Sequence, residues 1–316
     1  MFRGLDMSES SPQLLPTFDD PLSFKRAAIA SIIRRFTTAS GIYKTAIAGL
    51  NLVRNDTPTD TLHSVYKPTL CLVVQGRKEV RLFGEQYVYD PLNYLVISVT
   101  LPLAGKVIEA SPDVPYLGAL LDIDSAQISQ LIADSSPVGV PSGGDVRGLY
   151  LGSTDGPLLD ALFRLLSLLD SPEDISQLAP MALREIFYRL LRGQQGQRLY
   201  EIAVVDSQSY RITRAIEWLN NHFAEPMRIE ELARYVNLGV STLHHRFKAV
   251  TSMSPLQYQK QLRLHEARRL VLSQPTDIAT VASQVGYESQ SQFSREYNRL
   301  FGTSPLRDRA RLRRSS

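Results

Sequence analysis

This sequence predicts an α+β chain: a β-rich N-terminal part with accompanying helices, then an all-α C-terminal part. Three observations carry that expectation. Short apolar runs broken by turn residues fill residues 61–115, helical periodicity takes over from residue 209, and the two parts differ in charge. With 316 residues the chain exceeds the range one hydrophobic core usually serves, so two domains are expected. A composition of 43% hydrophobic and 21% charged residues is that of a globular protein, which excludes disorder and membrane embedding as the main class.

Residues 1–20 read as a loose tail without a basic, apolar and small-residue export signal. Residues 21–40 read as a helix, with Phe24, Ala28, Ile32, Ile33 and Phe36 near helical spacing. The runs 69–74, 79–83, 86–89 and 94–99 are separated by Gln75-Gly76, Gly84-Glu85 and Asp90-Pro91-Leu92-Asn93. That pattern reads as a β-meander or small barrel. A Ser-, Pro- and Gly-rich loop (134–145) then leads into two amphipathic helices, about 157–169 and 172–191. Leu158, Leu159, Leu162, Leu165, Leu166 and Leu169 form one apolar face, either shared with a second subunit or packed back onto the barrel. Residues 192–208, with Gly-Gln-Gln-Gly-Gln, read as a hinge or linker.

From residue 209 the chain contains a repeat. Ile229, Leu232, Ala233 and Val236 match Ile278, Val281, Ala282 and Val285 at an offset of 49; Leu243, Phe247, Ser254, Pro255 and Leu256 match Phe293, Tyr297, Ser304, Pro305 and Leu306 at an offset of 50. Each copy reads as a short helix, a tight turn and a longer helix. The turns are Asn237-Leu238-Gly239 and Gly286-Tyr287-Glu288, in which Asn and Gly tolerate a left-handed backbone. Ser289 is a good N-cap and Gly239 an acceptable one. Ser254-Pro255 and Ser304-Pro305 each start a further helix. Two copies are too few for a solenoid. The arrangement is a helix-turn-helix written twice, whose second helices suit the major groove of DNA.

Charge agrees. Residues 209–316 hold 17 Lys and Arg against 9 Asp and Glu, whereas residues 1–208 hold 18 against 23, so a basic module follows a mildly acidic one. The second helices carry Ser241, Thr242, His244, His245 and Lys248 in one copy and Gln290, Ser291, Gln292, Ser294 and Arg295 in the other. These hydrogen-bonding side chains suit base edges and phosphates and are the candidate DNA-contact residues. Arg295 has a second reading, an ion pair with an acid such as Glu288. The tail arginines Arg307, Arg309, Arg311, Arg313 and Arg314 read as a nonspecific phosphate brush.

The string GVSTLHHRFKAVTSMSPLQYQKQLRLHEARRLVL, followed by DIATVASQVGYESQSQFSREYNRLFGTSPLRDR, resembles the DNA-binding domain of the AraC/XylS family over about residues 210–312. Ile278-Ala279, Ala282, Val285-Gly286-Tyr287, Phe293, Arg295, Tyr297 and Gly302 to Pro305 are close to the family signature; Gly239 departs from it where the family often has Ser. The resemblance implies seven helices in two subdomains joined by a long helix at about 255–273, and an activator that recruits RNA polymerase. The stretch HSVYKPTLCLVVQGRKEVRLFGEQYVYDPLNYLVISVTLPLAGKVIEAS is similar to the N-terminal domain of a subgroup of these regulators, which implies a cupin-like β-barrel followed by helices.

Histidine-based metal binding of the enzymatic cupins is not expected, because His63 is the only histidine before residue 222. No phosphate loop, nucleophile elbow or HExxH motif is present, so neither a cofactor nor an enzymatic role is expected. Cys71, the single cysteine, excludes an intramolecular disulfide and fits a reducing, cytoplasmic compartment. It reads either as a small buried hydrophobe or as a thiol in or near an effector pocket. The expected organisation is a sensing and dimerising domain at 1–200, a linker at 201–208 and a double helix-turn-helix domain at 209–316. Its expected partners are a double-stranded DNA operator, RNA polymerase, a small-molecule effector and a second copy of the chain. The alternative is a constitutive repressor or architectural protein whose barrel only dimerises.

Overall fold

The computed structural model describes residues 22–134, 147–204, 207–273 and 276–312. The expected N-terminal tail, most of the 134–145 loop, and Arg313 and Arg314 lie outside these. Helix α1 (Ser23–Phe36) leads into nine strands: β1 (Gly41–Lys44), β2 (Leu50–Asn55), β3 (Leu62–Tyr66), β4 (Thr69–Gln75), β5 (Arg77–Leu82), β6 (Glu85–Tyr89), β7 (Asn93–Ile97), β8 (Leu101–Glu109) and β9 (Tyr116–Asp122). After α2 (Ser125–Asp134) come β10 (Leu149–Ser153), α3 (Gly156–Ser167), α4 (Ile175–Arg192) and α5 (Gly196–Ala203).

The strands make two antiparallel sheets, ordered β1-β2-β9-β4-β7-β10 and β3-β8-β5-β6. The expected turn residues work as turns: Gly76 and Gly84 take positive φ, and the Leu92 and Asn93 amides close onto Asp90. The barrel is an open, cupin-like sandwich. Its six-stranded sheet is covered on both faces, so β4 is buried along almost its whole length. Leu70, Leu72 and Val74 face helices α1 to α5, while Cys71 and Val73 face the other sheet.

Of the residues expected on the buried face of α1, Ile32 and Ile33 are buried and Ala28 half-buried, but Phe24 and Phe36 at the two ends are exposed; Ile29 and Ala30 complete the contact. The leucine face of α3 and the short 3-10 turn after it is not free for a second subunit. All six leucines are buried in the chain's own core, where α3 packs against α1 and α4. The residues expected to form a linker include α5, whose Leu199 and Ala203 join that core. Local Gly and Gln content suits a linker, but two buried apolar positions four residues apart supply enough contact to hold a helix.

The C-terminal helices are α6 (Gln208–Asn221), α7 (Ile229–Tyr235), α8 (Val240–Thr251), α9 (Pro255–Ser273), α10 (Ile278–Gln284), α11 (Gln290–Phe301) and α12 (Pro305–Leu312), the seven the family resemblance implies. Ser254 and Gln257 cap the start of α9 reciprocally, at 3.2 and 2.9 Å. The repeat's matched apolar residues on α7, α8, α10 and α11 are buried, apart from the half-buried Ile229. Those of the first copy share one core with the inner faces of the sandwich, whereas those of the second form a smaller core of their own.

Candidate nucleic-acid interface

Both turns of the repeat end their first helix in the same way. In the first, Asn237 has φ 54° and the Leu238 amide donates to the Ala233 carbonyl at 2.9 Å; in the second, Gly286 has φ 86° and the Tyr287 amide donates to Ala282 at 2.9 Å. This left-handed closure satisfies carbonyls at the helix end and swings the chain into the next helix at a fixed angle. Ser289 caps α11 by accepting from the Gln292 amide at 3.3 Å, while Gly239 gives α8 no side-chain cap.

Burying Leu243 and Phe247 against α7 turns the opposite face of α8 to solvent. Ser241, Thr242, His245 and Lys248 are exposed there, and His244 is half-buried at the edge. Burying Phe293 and Tyr297 likewise exposes Gln290, Ser291, Gln292 and Arg295, with Ser294 half-buried. The structure therefore gathers each set on one helix face, as the spacing predicted. Among the described residues no ion pair joins Arg295 to Glu288, which leaves the guanidinium available to an outside anion.

Sequence reasoning missed the residues that hold these faces. Glu296 accepts from Tyr287 Oη at 2.8 Å, Lys260 Nζ at 2.9 Å and Gln292 Nε2 at 3.2 Å, so one candidate reading side chain is pre-positioned. Burial raises the Glu296 pKa, but bonds from Lys260, Tyr287 and Gln292 outweigh it and hold the carboxyl below its ordinary value. Arg263 on α9 donates to the carbonyls of Phe223 and Gly286, both at 2.7 Å, and to Glu225 at 3.0 Å. It thereby links the loop after α6 to the second turn. Apart from the helical spacing of Gln292 and Glu296, nothing in the local pattern marks these residues, because Lys260 and the partners of Arg263 lie far along the chain.

Part of the expected phosphate brush has other duties. Arg309 donates to the carbonyls of Val271 and Thr276, and Arg311 pairs with Asp60 of the sandwich at 2.6 Å. Arg307 remains exposed. Further bonds dock the helical part on the sandwich: Tyr258 Oη donates to Thr100 at 2.8 Å, and the Gly148 amide donates to the Val250 carbonyl of α8 at 2.9 Å. Gly148 also accepts from the Ser98 amide just after β7, at 2.8 Å. Ser252, beyond α8, and Arg147 both bond Glu85.

Comparison with known proteins matches this architecture. Residues 46–198 match the family model of the AraC-type transcriptional regulator N-terminus, and residues 232–311 match a helix-turn-helix domain model. The chain belongs to the AraC family of transcriptional regulators. One relative in that family, the HTH-type transcriptional activator RhaS of Escherichia coli, is 28% identical over 149 residues, 47% of this chain and 53% of RhaS. The chain thus spans about half the length of the curated relatives it matches. The solved structure of an apo ToxT variant from Vibrio cholerae superposes with a TM-score of 0.53 at 11% identity, covering 84% of this chain and 98% of that one. Wild-type ToxT with a bound unsaturated fatty acid gives 0.51 at 12%, covering 81% and 92%. At that identity the likeness to ToxT shows the fold alone.

Cys71 stands apart from the DNA-facing surface. It is buried between the sheets, and burial pushes its thiol up to about 11, so almost no thiolate forms near neutral pH. Among the described residues no group of three or more His, Cys, Asp or Glu side chains is placed to hold a metal ion, and no helix is long and apolar enough to cross a membrane.

Proposed function

We propose that this AraC-family chain is an effector-responsive, sequence-specific regulator that places α8 and α11 in successive major-groove segments of an operator. The observation that carries it is the pair of matching left-handed turns, which expose two polar helix faces on one unit clamped by Arg263. Ser241, Thr242, His244, His245 and Lys248 would read or grip one segment, and Gln290, Ser291, Gln292, Ser294 and Arg295 the other. In this reading the protein works in the cytoplasm without catalysis and activates transcription by recruiting RNA polymerase; the relative RhaS is named a transcriptional activator. The functional division remains 1–200 for sensing and dimerisation, 201–208 for the connection and 209–316 for DNA.

The route from sensor to reader runs through Ser98, Gly148 and Val250, which tie the end of β7 to the last turn of α8. Movement of the sandwich wall would tilt one reading helix relative to the other. The core shared by the sandwich and the first helix-turn-helix favours a second reading, a fixed arrangement in which the sandwich only dimerises. Operator affinity that responds to a small molecule separates the two.

Dimerisation would use the outer side of α3 and α4, where Phe163, Leu178, Met181 and Tyr188 are exposed. Hydroxyl-radical footprinting of the full chain on a selected operator tests the DNA reading. Two protected major-groove segments about 34 Å apart per subunit are expected. Protection of a single segment would mean that one unit does not read DNA.

A further inference from the structure

The sandwich interior holds a polar cluster that DNA binding does not use. Lys78 of β5 points inward: its Cε and the Tyr66 hydroxyl both lie about one van der Waals contact, 3.4 and 3.5 Å, from where a side chain on Gly105 would begin. Lys78 Nζ sits 5.8 Å from the centre of the Tyr66 ring, and Tyr89 is its cross-strand partner on β6. Tyr116 and Cys71 face the same space from the other sheet. Among the described residues no carboxylate pairs with Lys78. The Tyr89 hydroxyl is fully buried and has no partner in full hydrogen-bond geometry, its polar neighbours being the Tyr116 hydroxyl and the Cys71 thiol.

A cation without a countercharge and a poorly aligned buried hydroxyl inside a folded domain are both costly unless something satisfies them. The Tyr66 hydroxyl accepts from Lys78, but the hydroxyls and the thiol around the ammonium are neutral and none supplies a countercharge. Burial pushes the Tyr116 phenol up to about 12 and the Cys71 thiol up to about 11, so both keep their protons at neutral pH. An ammonium with neutral O–H donors and no acidic neighbour is a receptor for an anion.

The inner faces reach solvent at two strand edges. Ile42 of β1 pairs with the inward-facing Val53, and Leu62 of β3 pairs with Gly105, so both belong to the inner faces. Yet Ile42 is 69% exposed and Leu62 59%. Two apolar side chains of the inner faces are therefore open to solvent at the β1 and β3 edges of the sandwich.

The geometry points to a binding site for a small carboxylate with an apolar body, its charge on Lys78, its oxygens taking the Tyr66, Tyr89 and Tyr116 hydroxyls, and its apolar part towards Ile42 and Leu62. This rests on the reading of the sandwich as the sensor and specifies what it senses. Lys78 and the tyrosines are positions the sequence did not single out; Cys71 lines the wall as a neutral thiol.

The test uses the full chain with sodium octanoate and sodium benzoate, each against its uncharged amide, followed by thermal unfolding and titration calorimetry. Both carboxylates are tried to millimolar concentration. At least one is expected to raise Tm by several degrees while its amide does not. Lys78→Met is expected to weaken that carboxylate at least tenfold and Tyr89→Phe severalfold, with Lys67→Met, outside the site, unchanged. The acid-against-amide comparison on the unaltered protein stands even if Lys78→Met folds poorly. Equal binding of acid and amide, binding that survives Lys78→Met, or no binding of either carboxylate overturns the proposal. A failure of the DNA reading shows separately, as absent operator binding by ligand-free protein.

Discussion

Arg263 donates to the Gly286 carbonyl at 2.7 Å, joining the middle of the long α9 helix to the turn of the second helix-turn-helix. The same guanidinium reaches Phe223 and Glu225, so the spacing of the two reading helices depends on one side chain. Arg263→Met should cost about 1–3 kcal/mol in stability. Operator affinity should fall further than stability predicts, because both faces must meet the duplex together. Denaturation and gel-shift titrations of one preparation check this; unchanged operator affinity would show that the clamp does not set the spacing.

The turn itself gives a sharper contrast. A Cβ on Gly286 would lie 2.1 Å from the Ala224 carbonyl oxygen at φ 86°, whereas one on Gly302, at φ 70°, meets nothing within 4 Å. Gly286→Ala should therefore cost about 3 kcal/mol or more and Gly302→Ala only about 1 kcal/mol. Equal costs would mean that the close approach to Ala224 is relieved without penalty.

The leucines of α3 and the apolar residues outside α4 should separate folding from association. Leu162→Ala removes a fully buried side chain and should lower stability by about 2–5 kcal/mol. Met181→Lys should leave the fold intact and shift sedimentation from dimer towards monomer, since Met181 is exposed. A dimer that tolerates both Met181→Lys and Leu178→Lys uses another surface.

Acid should loosen the seam between the sandwich and the helices. Burial, followed by the nearby His63 and Arg268, pushes the His265 imidazole down to about 3, while in the unfolded chain it titrates near 6.5. Between those values the unfolded chain binds a proton that the folded chain refuses, so stability falls as pH drops through the window. The contribution between pH 7 and 5 is about 2 kcal/mol. His265 faces His63 and Phe301, the former on β3, so the loss acts where the two parts meet. His265→Leu should flatten the slope of unfolding free energy over that range; a slope equal to the parent's would assign it to other groups.

The Cys71 thiol should resist iodoacetamide in the native state and react only as the chain unfolds, because it is buried and protonated. Rapid native labelling, with loss of operator binding, would restore the reading of Cys71 as an electrophile sensor.

Much of this protein was legible before its fold was known. The repeat with offsets of 49 and 50, the Asn237 and Gly286 turns and the Ser-Pro helix starts are local signals, each set by a few neighbouring residues and their backbone preferences. They sufficed for two helix-turn-helix units, and the periodicity that buries Leu243 and Phe293 also determined which side chains of α8 and α11 face outward. Tertiary structure alone decided the rest. An apolar stripe states that a face is buried without naming its partner, so the α3 leucines matched a dimer interface equally well until α1 and α4 covered them. The clamp of Arg263 on Gly286 joins residues 23 positions apart, and the cluster of Lys78, Tyr66, Tyr89 and Tyr116 comes from four strands in two sheets. Such contacts have no period and no local motif, and come into being only when the sheets stack and the helices dock.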